Sequence, residues 1–203
     1  MIFLFFNNNN NIIGKMTDEL TNYLTNNNIY DIAKICDILE TKIEITSDHI
    51  RNIKYTCVFE NIFEIFKKYG YVYTKTDWIY LLNIEGKLLC IVDEQTEEIC
   101  KIAVQQNGLA LRYVKEQTIE ICKSAVQQNG QALEFVKEQT EEICKIAVQK
   151  HGYALKHVKE QTEEICKLAV QQNGLALLYV KEQTEEICKS AVQQNGLALQ
   201  YVK

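Results

Sequence analysis

The chain has 203 residues, with 22 Lys+Arg against 27 Asp+Glu, a net charge of −5, 47% hydrophobic and 24% charged residues. These proportions exclude disorder along the whole chain, and the acidic balance argues against a general polyanion binder, which needs clustered Lys/Arg. No apolar run approaches the ~18 residues that a membrane-spanning helix requires.

In chain order, Met1–Phe6 is apolar and five Asn follow at 7–11. The segment lacks the basic start and the length of a secretory signal. An Asn tract buries little, so 1–16 reads as a disordered leader. Thr17 before Asp18 and Glu19 is a sound helix start, which makes Met16 a candidate initiator. Three helices are expected over 17–71, at about 18–26, 29–42 and 48–69, with Ser47 as the N-cap of the third.

From residue 94 the chain repeats itself without gaps every 22 residues. The copies occupy 94–115, 116–137, 138–159, 160–181 and 182–203, with glycines in step at 108, 130, 152, 174 and 196. Gly86 lies one period earlier, and Thr74, Leu89 and Val92 keep the same offset. Residues 72–93 therefore read as a worn copy that caps the array, with Trp78 where the others carry Cys.

Within a copy, Thr96 is the expected N-cap, with Glu97 and Glu98 in the first turn where the helix dipole favours negative charge. Ile99, Cys100, Ala103 and Val104 span an arc of about 140° at helical spacing, opposite Glu98, Lys101 and Gln105. Asn107-Gly108 ends this helix, and Gly108 is read as the left-handed residue beyond its end. In the next segment Ala110, Leu111 and Val114 never change, whereas 109, 112 and 113 vary. A helical period puts these two sets on opposite sides; a strand would split the fixed set between faces. The expected fold is therefore all-α: a solenoid of short helix-turn-helix repeats preceded by a small helical N-terminal region.

The core Ala103, Val104, Asn107, Gly108, Ala110, Leu111 and Tyr113, with its equivalents, resembles a short two-helix repeat family abundant in mimivirus-like giant viruses and some protists. The resemblance covers 94–203 well and 72–93 weakly. It implies a fold class and a viral or protist source, the host cytoplasm if viral. It brings no catalytic residue, because such families are largely uncharacterised. Cys at the position of residue 100 departs from the usual pattern.

Five of the eight cysteines, 100, 122, 144, 166 and 188, occupy one core position per copy. Stacked helices lie ~8–10 Å apart, too far for disulfides between equivalent Cα atoms. No short Cys spacing suggests zinc. The thiols read as small core residues in a reducing, intracellular compartment. His151 and His157 replace the Asn and Tyr of other copies and read as drift. No nucleophile–His–acid set and no phosphate loop occurs, and an active site needs unlike groups meeting once, so neither enzyme activity nor a cofactor is expected. Glu97–Lys101 and its equivalents read as a solvated i,i+4 pair. Gln105 and Gln106 form a polar ladder that is either a wet surface or a binding face.

The variable positions are the candidate partner-facing residues: Leu109, Arg112 and Tyr113; Gln131, Glu134 and Phe135; Tyr153, Lys156 and His157; Leu175, Leu178 and Tyr179; Leu197, Gln200 and Tyr201. They point first to a non-catalytic protein-interaction scaffold. A self-associating structural component is the alternative. Copy five keeps every apolar position, so its outer face is expected to expose apolar surface and to associate with another copy or a partner. Nucleic acid is the weakest reading, because the five copies hold 13 Lys/Arg against 15 Asp/Glu.

Overall fold

The computed structural model describes residues 45–51 and 59–203. The expected leader and the helices at 18–26 and 29–42 lie outside the described residues. All regular structure among the described residues is helical, in two compact units, Met1–Ile84 and Glu85–Lys203.

In the first unit, Ser47–Arg51 and Phe59–Lys68 overlap the third expected helix, the former starting one residue ahead of it, and Lys75–Ile84 follows. The cap of the first lies one residue earlier than expected. Ile50 N–H donates to Thr46 O, and the Thr46 N–H donates to His49 Nδ1. Ser47 turns instead toward Tyr71, with 3.2 Å between the hydroxyl oxygens. Thr74 and Asp77 cap Lys75–Ile84 reciprocally: Asp77 N–H donates to Thr74 Oγ1, and Thr74 N–H donates to Asp77 Oδ2. Burial pushes the Asp77 carboxyl up, but hydrogen bonds from Thr74 and Tyr71 outweigh it and hold it below the usual value. Phe63, Tyr73 and Trp78 stack beside this cap.

The second unit begins with a six-residue 3-10 helix, Gly86–Ile91, and then alternates ten-residue α-helices with six-residue 3-10 helices. The α-helices are Glu97–Gln106, Ile119–Gln128, Glu141–Lys150, Glu163–Gln172 and Glu185–Gln194. The 3-10 helices run from each repeat glycine to the residue at the 113 position. Successive α-helices pack on one another, and each 3-10 helix packs on the next, which is an α-solenoid.

The short segment is helical as expected, but its pitch is tighter. Ala110 N–H donates to Asn107 O and Val114 N–H to Leu111 O, both at i→i+3. Side chains three apart eclipse in such a helix. Gly108, Leu111 and Val114 therefore form one buried column, and 109 and 112 form a second, outer column. Residue 113 falls under buried Ala110 and is half-buried in every copy. The core is as expected in copies one to four, where Ile99, Cys100, Ala103, Val104, Ala110, Leu111, Val114 and their equivalents are buried. In copy five only Ile187, Ala191 and Ala198 remain so.

The repeat glycines are needed for a different reason from the one the sequence suggested. Among the described glycines only Gly70 has a positive φ. A Cβ on Gly152 would lie 2.6 Å from Ala169 O in the next repeat, and Gly86, Gly108, Gly130 and Gly174 meet the equivalent carbonyl more closely still. The glycine lets two backbones approach.

Candidate functional site

Most of the polar side chains identical in all copies are used to join one repeat to the next. Gln95 is the hub of the first junction. Its Nε2 donates to Leu89 O and Tyr113 O, its Oε1 accepts the Lys115 N–H, and the Cys100 thiol points to the same oxygen. Gln117, Gln139, Gln161 and Gln183 repeat the arrangement with their own neighbours. The Lys115 Nζ donates to Asp93 O, and Lys137, Lys159 and Lys181 each reach back 22 residues to the equivalent carbonyl.

The second Gln of each α-helix is the other fastener. Gln106 Oε1 accepts the Gly86 N–H at 2.7 Å, Gln128 the Gly108 N–H at 2.7 Å, Gln172 the Gly152 N–H at 2.6 Å and Gln194 the Gly174 N–H at 2.6 Å. This settles the Gln ladder: the first Gln faces solvent and the second closes a junction. Asn107 serves both segments. Its N–H ends the α-helix on Ala103 O, and its side chain accepts the Leu109 N–H to start the 3-10 helix. Thr96 caps as expected, accepting the Ile99 N–H.

Copy three departs from this scheme, and its departure is not drift. Lys150 stands where the fastening Gln belongs and offers no acceptor. One residue on, His151 Nδ1 accepts the Gly130 N–H at 3.0 Å instead, and gives up the capping bond that Asn makes elsewhere.

The Glu–Lys pairs occur as expected in copies one, three, four and five. A second set crosses junctions: Lys123–Glu142 at 2.9 Å, Lys145–Glu164 at 2.7 Å and Lys167–Glu186 at 2.8 Å. In copy two, where Ile119 replaces the Glu and lies exposed, only the crossing pair remains for Lys123.

The buried thiols, Cys100, Cys122, Cys144 and Cys166, form no disulfide, nor do half-buried Cys188 and exposed Cys90. Burial pushes the four buried thiols above their ordinary value, which keeps them protonated and poorly nucleophilic. No cluster of three or more metal-ligating side chains occurs among the described residues.

The variable positions form one seam. In copies two, three and four the ring at the 113 position is flanked by a variable residue of the preceding copy. Arg112 lies 5.0 Å over the Phe135 ring, Glu134 Oε2 lies 3.9 Å from His157 Nε2, and Tyr153 meets Tyr179 edge-on at 5.9 Å. Along the seam the character changes. Arg112, Gln131, Glu134 and Lys156 make its early part polar. Tyr153, Leu178 and Leu197 leave apolar surface exposed in its later part, at 36%, 48% and 68% of their full area. The fifth copy also exposes Leu199 and Val202, at 66% and 41%, on the face whose equivalents are covered in the other four.

Taken together, the junction network and the stacking order define an α-solenoid of short repeats. The family described as a domain of unknown function, DUF4116, matches residues 96–140, 118–161, 140–184 and 162–203, and the chain belongs to it. No curated protein and no solved structure matches the chain. No helix among the described residues is long and apolar enough to cross a membrane.

Proposed function

We propose that the chain is a non-catalytic protein-interaction scaffold that binds its partner along the seam of variable residues. The observation behind this reading is a division of labour. Identical residues are committed to the core and the junctions, whereas the outer column at 109 and 112 and the rings at 113 differ from copy to copy. Exposed Tyr153, Leu178 and Leu197 make the later part of the seam the best suited to a protein surface, because exposed apolar area marks interaction sites. Repeated chemistry gives no single place where unlike catalytic groups meet, and the acidic repeats disfavour nucleic acid. Buried, protonated thiols suit a reducing intracellular compartment, the host cytoplasm if the chain is viral. Proximity labelling in expressing cells, with the full chain and with a Leu178→Lys/Leu197→Lys variant, tests the reading. Partners lost from the variant support it; an unchanged set of labelled proteins sinks it.

A second reading, self-association, is favoured by exposed Leu199 and Val202 on copy five. Light scattering of the full chain over a wide concentration range should show association that Leu199→Lys removes. A constant monomer mass in both proteins rejects it.

A further inference from the structure

We infer that the junction between repeats two and three is an acid-sensitive seam in an otherwise acid-insensitive solenoid, because His151 closes it only as a neutral imidazole. At the other four junctions the glycine N–H meets an amide oxygen, which accepts at any pH near neutrality. The Gly130 N–H meets His151 Nδ1, which has a lone pair only while the ring proton is on Nε2. A second proton turns that nitrogen into a donor, and two N–H groups then face each other. Lys150, the neighbour in the position of the fastening Gln, has no lone pair to take over. Because His151 is exposed, water delivers the proton without unfolding.

The charges around the junction do not cancel this effect. From its own helix the neighbouring charged group is Lys150. The 3-10 helix of repeat two contributes Glu134, which faces His157. The 3-10 helix of repeat three adds Lys156 and His157. The carboxyl-terminal turns of the neighbouring α-helices, Gln127–Asn129 and Gln171–Asn173, carry no charge. The charged side chains at the opposite ends of these helices are engaged in Lys123–Glu142 and Lys145–Glu164. His157 is acid-averse in the same direction, since burial first and Lys156 second lower its proton affinity, against an opposing pull from Glu134. His157 Nε2 makes no hydrogen bond of its own there, so the fastening of Gly130 rests on His151. Loss of that bond loosens the junction between repeats two and three, which Lys159 and the Lys123–Glu142 pair still bridge.

The test uses the full chain and its own glycines as references. Amide hydrogen exchange is measured between pH 8 and pH 5, with protection corrected for the intrinsic pH dependence of exchange. Gly130 is expected to lose about five- to tenfold in protection on acidification, while Gly108, Gly152 and Gly174 hold theirs. The double substitution Lys150→Gln/His151→Asn restores the residues that neighbouring repeats carry, and should abolish the loss at Gly130. Equal behaviour of all four glycines overturns the inference, since the acid effect is then absent or global. A loss at Gly130 that persists in the double variant overturns it too, because the proton is then taken up elsewhere.

Discussion

At the scale of single residues the chain shows a need that sequence reading located correctly and explained wrongly. Gly108 and its equivalents were legible as obligatory, but the requirement is close approach to the next repeat and not backbone handedness. Nothing within one copy reveals that contact. The difference has a measurable consequence. Gly152→Ala pushes a methyl against Ala169 O and should cost about 1–3 kcal/mol in urea denaturation. Gly196→Ala meets nothing within 4 Å and should be neutral or stabilise by about 0.5 kcal/mol, through the unfolded chain. Equal losses at both positions would restore the backbone-handedness explanation. His157 offers a second test. Its Nε2 is buried without a hydrogen-bond partner, and burial, then Lys156, lowers its pKa. With a lowered folded pKa, the unfolded chain binds the proton first as pH falls below the ordinary value of 6.5. Stability is therefore lost on acidification through that window. His157→Tyr, the residue of copies one, four and five, should raise stability by about 1 kcal/mol at neutral pH and flatten this part of the pH profile of thermal unfolding. A profile as steep as that of the parent would assign the slope to other groups.

At the scale of elements, helical phase was legible because fixed and variable positions separate cleanly. The tighter 3-10 pitch was not, because 100° and 120° per residue differ too little over six residues for side-chain pattern to separate them. The fasteners were also missed. Gln95 looks like a surface residue in a turn, and its three partners lie 6, 18 and 20 residues away. The available signal was invariance across copies of a polar residue with no local role. The clamp predicts an asymmetry between two glutamines of copy three. Gln139→Ala strips partners from Leu133 O, His157 O and the Lys159 N–H, and should cost about 1–3 kcal/mol. Gln149→Ala removes an exposed side chain and should stay within about 0.5 kcal/mol of the parent. Indistinguishable midpoints would mean that water replaces the clamp.

At the scale of the molecule, each repeat touches mainly its neighbours, so stability approaches a sum of repeat and junction contributions. Every fastener has a reach of about one period: 20 residues from glycine to Gln and from Lys N–H to Gln, and 22 between successive Lys. That fixes what a deletion must respect. Removing 138–159 joins Lys137 to Glu160. Gly130 then faces Ala169 O and Gln172 Oε1, Lys181 Nζ reaches Lys137 O, and Glu134 lies beside Tyr179 in place of His157. The glycine, glutamine and lysine contacts are of kinds already made at other junctions. The shortened chain should fold with unchanged helix content per residue by circular dichroism, and Gly130 should show no acid-dependent loss of protection, since the Gln172 amide replaces His151 as its acceptor. Removing 20 residues, 140–159, leaves two extra residues in the connection and puts each fastener across it two positions out of register with its partner. That protein should lose cooperative unfolding beyond Lys137. Equal tolerance of the two deletions would show that the array is held by nonspecific apolar contact and that the polar fasteners set no register.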